Sequence, residues 1–327
     1  MSMQYYETHS TDPCYNLAFE EYLLKNKRVG SILMLWQNAN TIVVGLNQNT
    51  AEEINAEFVA SHGTTVVRRT TGGGAVYHDL GNLNYSFIAD CNDDNMSIMQ
   101  FSRPVCSALL DMGIKAELSG RNDILVSGKK VSGVAQRIYN GRILHHGTLL
   151  FRSNLDFVSG ALNVNPDKFT SKSSKSVRGR IGNIADLLPS DMSLHDFWDI
   201  LIDKFSKNGV VVCNLNDDEL ALIRRNADEK YRSWEWTYGR SPDYTFRNCR
   251  RFPGGSLEVR LLVEQGIIRH TYFFGDFMAT CDCSAVLNVL VGTKFNYDDV
   301  LRALQSVNIA GVFGGISLDE IMSVFFC

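Results

Sequence analysis

The chain has 327 residues, 45% of them apolar and 21% charged, enough to bury a sizeable core and to make one large domain plus one small one the expectation. A net charge of −4 lacks the basic excess of a general nucleic-acid binder, and no run approaches the roughly 18 apolar residues of a membrane-spanning helix. The eight cysteines are scattered and the first residues lack a basic-then-apolar leader, so a reduced cytoplasmic protein without a disulfide frame is expected.

Residues 15–27 set Leu17, Ala18, Tyr22, Leu23 and Leu24 at helical spacing, an amphipathic pattern with Asp12 or Thr11 near its N-cap. Segments 31–37 and 41–45 read as strands around an Asn-rich turn, 51–62 as a helix and 64–69 as a strand. A glycine turn leads into a strand at 72–77, followed by a strand at 83–89 and a helix at 97–113 closed by Gly113. Three strand segments come next, 124–128, 129–140 and 142–151, the last two flanking Asn140-Gly141, a strong hairpin signal. The Ser-rich, basic stretch 166–183 reads as a loop. Helices at 193–208 and 218–230 precede an aromatic stretch at 231–244. Strands near 245–252, 255–264 and 267–275 and helices near 282–290, 297–306 and 317–326 complete the chain. Tight turns between most strands predict an α+β fold with a mixed or antiparallel sheet rather than a βαβ repeat. The division falls near residue 240, giving a large domain at 1–240 and a small α+β domain at 241–327.

Two constellations carry chemistry. In Arg68-Arg69-Thr70-Thr71-Gly72-Gly73-Gly74-Ala75-Val76-Tyr77-His78-Asp79, three glycines allow close backbone approach and an N–H nest for an anion. Two arginines beside them suit phosphate or carboxylate. The spacing is neither GxGxxG nor a P-loop, and a Gly-rich turn with a solvated Arg pair is the plainer alternative. The second constellation joins Gly120-Arg121-Asn122-Asp123, Lys129-Lys130-Val131-Ser132-Gly133-Val134-Ala135 and His145-His146-Gly147-Thr148. A strand lysine among small residues has room for a ligand and can hold an acyl carboxylate and an α-phosphate together. Lys129 and Lys130 face opposite sides, as do His145 and His146. An exposed lysine pair and a satisfied core histidine are the simpler readings. Cys281-Asp282-Cys283 does not match a zinc spacing, and no GxSxG elbow surrounds Ser86 or Ser132. Cys14, near a helix N-terminus, is the thiol whose pKa that placement would lower.

Taken in order, the segments 68–82, 120–123, 130–136, 145–151 and 176–183 resemble the lipoate–protein ligases, relatives of biotin–protein ligases and class II aminoacyl-tRNA synthetase domains. Residues 234–242 look like the lead into that family's small C-terminal domain. The resemblance implies a catalytic domain with a mixed or antiparallel sheet and an accessory C-terminal domain. It implies that lipoate and MgATP give lipoyl-AMP and pyrophosphate. The acyl group then passes to a lysine of an apo lipoyl domain, on a 2-oxoacid dehydrogenase E2 subunit or the glycine cleavage H protein. By position, Lys130 is the implied catalytic residue. Arg69, Gly74, Ala75, Val76, Tyr77 and Lys130 match ATP-contacting positions, with Asn82 and Asp123 on the nucleotide side and Asp123 toward Mg²⁺. Arg68, Gly73, His78, Lys130 and His146 match lipoate-pocket positions. The basic loop is suited to cover an adenylate or touch an acidic carrier; neither nucleic acid nor membrane is an expected partner. An octanoyl or lipoyl transferase working without ATP is the alternative on the same fold, and a non-enzymatic binder a third. A thiol-using transferase needs a cysteine in the loop that here reads Gly120-Arg121-Asn122-Asp123.

Overall fold

The computed structural model describes residues 3–28, 30–91, 98–119, 122–162, 177–188, 191–205, 209–238 and 245–326. Their strands are, in chain order, β1 (Met3–Glu7), β2 (Ile32–Trp36), β3 (Thr41–Val44), β4 (Thr65–Arg68), β5 (Val76–His78), β6 (Asn82–Asp90), β7 (Ala116–Ser119), β8 (Asp123–Val126), β9 (Lys129–Tyr139), β10 (Arg142–Leu150), β11 (Val210–Val212), β12 (Phe246–Phe252), β13 (Gly255–Glu264) and β14 (Ile267–Gly275). Eight form one mixed sheet in the order β11-β1-β2-β6-β10-β9-β8-β7, in which β11, β1 and β2 are parallel and the rest antiparallel. A three-stranded sheet, β4-β3-β5, lies beside it, and β12-β13-β14 form a separate antiparallel meander. The α+β, mixed-sheet expectation therefore holds.

The large sheet is buried on both faces, and the two-residue side-chain period divides its core in two. Leu33, Leu35, Leu83, Tyr85 and Phe87 pack with the helices Ile98–Asp111 and Leu194–Phe205. Ile32, Met34, Trp36, Ile88 and Leu144 pack on the other face with helix Pro13–Asn26. The Asn140-Gly141 turn has φ +46° and +73°, the left-handed pair that a two-residue hairpin requires. The C-terminal meander builds its own core, with Leu257, Val259 and Phe273 against Phe313 and Phe325.

Helix Pro13–Asn26 starts as expected, with the Asp12 side chain accepting from the Cys14 amide and Pro13 in the first turn. Its amphipathic reading fails, because Asn16, Glu20 and Glu21 are buried as fully as the leucines. The helix predicted at 51–62 is two, Thr50–Glu53 and Ala56–His62, since Asn55 interrupts it to cap the second. The strands around the Asn-rich turn do not pair; they enter different sheets. Strands β1, β7 and β11 were not foreseen. The helix predicted at 218–230 runs Asp217–Asn226, opened by an Asn216/Glu219 capping box, and continues as a π-helical turn through Tyr231. Most of the basic loop and the division near 240 lie outside the described residues; Val177–Arg180, read as loop, is a short helix. Among the described residues no helix is long and apolar enough to cross a membrane.

Candidate functional site

A cleft with about 600 Å³ of open space is lined by both sheets and helix Pro13–Asn26. Trp36, Asn84, Lys130, His146 and Thr148 reach it from the large sheet, Val43, Val76 and His78 from the small one, and Leu17 from the helix. Arg69, Gly73, Gly74 and Ala75 close one side.

The three glycines of the turn stand in three different surroundings. Gly73 has φ +88°, where other residues are strained. A Cβ on Gly72 would lie 2.7 Å from the Phe277 carbonyl oxygen and 3.1 Å from the Ala279 amide, so the C-terminal segment presses on the loop here. A Cβ on Gly74 would meet nothing within 4 Å, which leaves its backbone open to the cleft. Upstream, a Cβ on Gly45 would sit 1.9 Å from the Gly73 carbonyl oxygen.

The arginine pair does not stand solvated at the rim. Arg68 is buried and donates to the carbonyls of Gly45, Leu46, Gln48, Trp236 and Thr237 and to the Thr50 hydroxyl. Arg69 donates to the carbonyls of Val43, Gly72 and Gly74 and to the Thr71 hydroxyl. Burial pulls both guanidiniums down to about 10, with Glu20 opposing the shift at Arg69. Arg68 ties together three chain segments, and Arg69 sets the shape of the glycine turn.

Lys130 and Lys129 do part company. The Lys129 stem lies against Gly182, whereas Lys130 enters the cleft wall and pairs with Asp123, Nζ to Oδ1 2.8 Å. The pairing of β8 with β9 shifts at this point: Leu125 faces Lys130 and Ile124 faces Ser132, leaving Val131 as a bulge. The Lys130 Cε and Nζ would lie 3.0 Å from a Cβ on Gly133, so the side chain folds into the space that this glycine leaves. One carboxylate such as Asp123 suits a Mg²⁺ carried largely by phosphate oxygens.

His145 and His146 also separate. His145 stacks on Phe101 in the core, its Nδ1 accepting from Gln136, and burial drives its pKa to about 3. His146 lines the cleft between Glu20 and the Thr71 hydroxyl, 2.8 Å from each. His78 accepts at Nδ1 from Asn38, which places its proton on a buried Nε2 with no partner among the described residues. Burial first, then the charge on Arg69, bring His78 to about 3. The Asn84 Nδ2 at the cleft likewise has no partner among the described residues.

The cleft thus gathers Arg69, Gly73, Gly74, Ala75, Val76, His78, Lys130 and His146. Arg68 stays behind the loop. The Tyr77 ring turns away to pack near Phe58 and Phe157, its hydroxyl donating to Asn40, so only its backbone is left for a ligand. Asn82 donates to Asn84 one pleat beyond the cleft, and Asp123 reaches it through Lys130. Gly120 and Arg121 lie outside the described residues. Sequence reasoning missed Glu20, Trp36 and Asn84; polar residues at 82, 84 and 86 alternating with Leu83, Tyr85 and Phe87 were the available signal of a polar buried face.

The thiol expectation is overturned. Cys14 is buried, and that burial, reinforced by Asp12, pushes its pKa up to about 11 rather than down. The cleft-lining residues described include no cysteine. Cys14→Ala should therefore retain full activity within about twofold and lose on the order of 1 kcal/mol of stability from the smaller core side chain. Steady-state kinetics beside thermal unfolding tests this; loss of activity in a folded variant with a trapped thioester would contradict it.

Compared with known proteins, residues 12–206 match the family described as the lipoyl protein ligase A/B catalytic domain, and residues 241–325 the bacterial lipoate protein ligase C-terminus. The curated lipoate–protein ligase LplJ of Bacillus subtilis (strain 168) is 41% identical over 321 residues, covering 96% of this chain and 97% of its own. Among solved structures, P. falciparum LipL1 in complex with lipoate is similar at TM-score 0.82 and 25% identity, with 98% of both chains covered. A lipoate–protein ligase A bound with ATP gives 0.63 at 28% identity, over 73% of this chain and 99% of that one. The bipartite lipoate protein ligase of Thermoplasma acidophilum, described together with its E2 lipoyl domain, gives 0.64 at 29% identity, over 75% of this chain and all of the other.

Proposed function

Because the chain belongs to the lipoate–protein ligase family, we propose that it activates lipoate with ATP as lipoyl-AMP and passes the acyl group to a lysine of a carrier domain. The observation that carries this reading is one cleft holding the Lys130 ammonium, the open Gly74 backbone and apolar walls from Leu17, Trp36 and Val43. A carboxylate is a poor acyl donor because its leaving group would be oxide. In the first step a lipoate oxygen attacks the α-phosphorus of ATP and pyrophosphate leaves. In the second, the carrier amine attacks the acyl carbon, loses a proton and expels AMP. Charge grows on the oxygens between carboxylate and phosphorus, where the Lys130 ammonium can stabilise it. Gly73–Val76 supply backbone to the nucleotide, and Asp123 would offer one oxygen to a Mg²⁺ that would neutralise phosphate charge. His78 and Asn84 offer donors to the acid, and the apolar walls suit its hydrocarbon and dithiolane portion.

The ATP-bound relative and the lipoate-bound LipL1 support both substrates, and the archaeal ligase supports an E2 lipoyl domain as acceptor. We place the glycine cleavage H protein in the same acceptor class and the reaction in the cytoplasm. Residues 1–240 are taken as the catalytic domain and 241–327 as the accessory one. The test is the mass of a purified apo lipoyl domain incubated with this protein, lipoate, ATP and Mg²⁺. A lipoyl increment that requires ATP is expected; modification without ATP would favour a transferase.

A further inference from the structure

Glu20 sits mid-helix, only 1% exposed, and the reading above gives it no role. It receives hydrogen bonds from two directions. The His146 Nδ1 donates to its Oε1 at 2.8 Å, and the Ser86 hydroxyl donates to the same oxygen at 2.5 Å. Beyond His146 the path continues: the Thr71 hydroxyl donates to His146 Nε2 at 2.8 Å, and Arg69 Nε donates to that hydroxyl at 2.9 Å. Every donor along Arg69–Thr71–His146–Glu20 points the same way, ending on a group that can only accept. Arg69 meanwhile holds the carbonyls of Gly72 and Gly74 with Nη2. Among the described residues, Arg69 meets no carboxylate directly and Glu20 no lysine or arginine. Two opposite charges are thus buried a short distance apart with two polar side chains between them, and a buried cation without compensation is costly.

We propose that Glu20 is a positioning residue for the glycine loop, the counterion of Arg69 acting through His146 and Thr71. The proposal rests on reading that loop as the nucleotide site. Its charge keeps the guanidinium in place, the guanidinium keeps the Gly72 and Gly74 carbonyls turned inward, and the amides of the turn are thereby presented to phosphate. The same carboxylate anchors Ser86, which accepts from the Trp36 indole N–H at 2.9 Å, so one buried group fixes the loop and one wall of the cleft together.

The experiment measures pyrophosphate release from lipoate and ATP by wild type, Glu20→Gln, Thr71→Val, Thr71→Ser and the Glu20→Gln/Thr71→Val double variant. Glu20→Gln keeps the size and the accepting oxygen but not the charge. It should lower kcat/KM for ATP on the order of 10- to 100-fold, the size of a lost charge-assisted hydrogen bond, with KM for lipoate changed much less. Thr71→Val, which alters no charge, should do the same, and Thr71→Ser should recover activity to within about threefold. Residues acting as one unit are non-additive, so the double variant should be no worse than the poorer single one. If Glu20→Gln does not fold, Thr71→Val and its Ser rescue carry the test. Unchanged kcat/KM for ATP in folded Glu20→Gln or Thr71→Val, or effects that multiply in the double variant, overturns the proposal. A wild-type protein that releases no pyrophosphate would instead bring down the ligase reading and this proposal with it.

Discussion

Lys130→Ala is expected to fold normally and to lose adenylation by a factor on the order of 10²–10³, the usual cost of removing one group that stabilises developing charge. Lys130 is half-exposed and its partner Asp123 is similarly open to solvent, so breaking that pair changes stability by less than about 1 kcal/mol. Lys129→Ala is the control: its stem touches Gly182 and its ammonium is outside the cleft, so activity should stay within about twofold. Pyrophosphate release and acyl transfer from supplied lipoyl-AMP, measured separately, would show whether both half-reactions need the ammonium. Equal activity in the two variants, or inactivation by Lys129→Ala alone, would mean that the chemistry lies elsewhere.

Gly133→Ala should separate activity from stability in the opposite sense to a core mutation. The three nearest atoms to the added Cβ are side-chain ones, Lys130 Cε and Nζ both at 3.0 Å and Asp123 Oδ1 at 3.9 Å, so the only tight contact is with the flexible end of Lys130. Gly133 lies in a strand without positive φ, so alanine suits its backbone. The melting temperature should hold or rise slightly. The ammonium must move, and a displacement of about 1 Å at a reacting group costs up to about 10²-fold in rate. A fall in kcat of roughly 10-fold or more with unchanged thermal unfolding is the expected outcome. Full activity would show that Lys130 works from a position other than the one against Gly133.

Lys130 and the glycine turn were legible because their requirements are local: a strand with small residues at 132, 133 and 135, and three consecutive glycines after an arginine pair. The hairpin at 140–141 and the caps at Asp12 and Gly113 are local for the same reason. What Arg68 and Arg69 do was not legible. Their residue type suggested anions, yet their partners are carbonyls of residues 43–50, 72–74 and 236–237, and no local pattern announces a carbonyl brought from elsewhere in the chain. Glu20 was hidden by its surroundings in sequence, where two acids in a helix read as its wet side. Its burial comes from the large sheet, where it meets Ser86 of β6 and His146 of β10, strands more than sixty residues away in sequence. Strands β1 and β11 escaped because parallel pairing leaves no turn between partners.

The two faces of the large sheet have separate obligations, and that bears on how this protein can change over generations. On β2, β6 and β10, Trp36, Asn84, His146 and Thr148 face the cleft, while Leu33, Leu35, Leu83, Phe87 and Leu149 belong to the opposite core. Substitutions of similar volume on that second set are screened by packing alone, so it is where neutral drift accumulates and where stabilising variants can be sought without altering selectivity. Val134 belongs both to the cleft lining and to that core, and Gly147 is a second point at which this independence ends. It lines the cleft with its backbone, and a Cβ there would stand 2.6 Å from the Tyr85 hydroxyl of the opposite core. A lineage that shrinks Tyr85 gains freedom at Gly147, and with it a side chain directed away from the cleft but able to tilt the strand that carries His146.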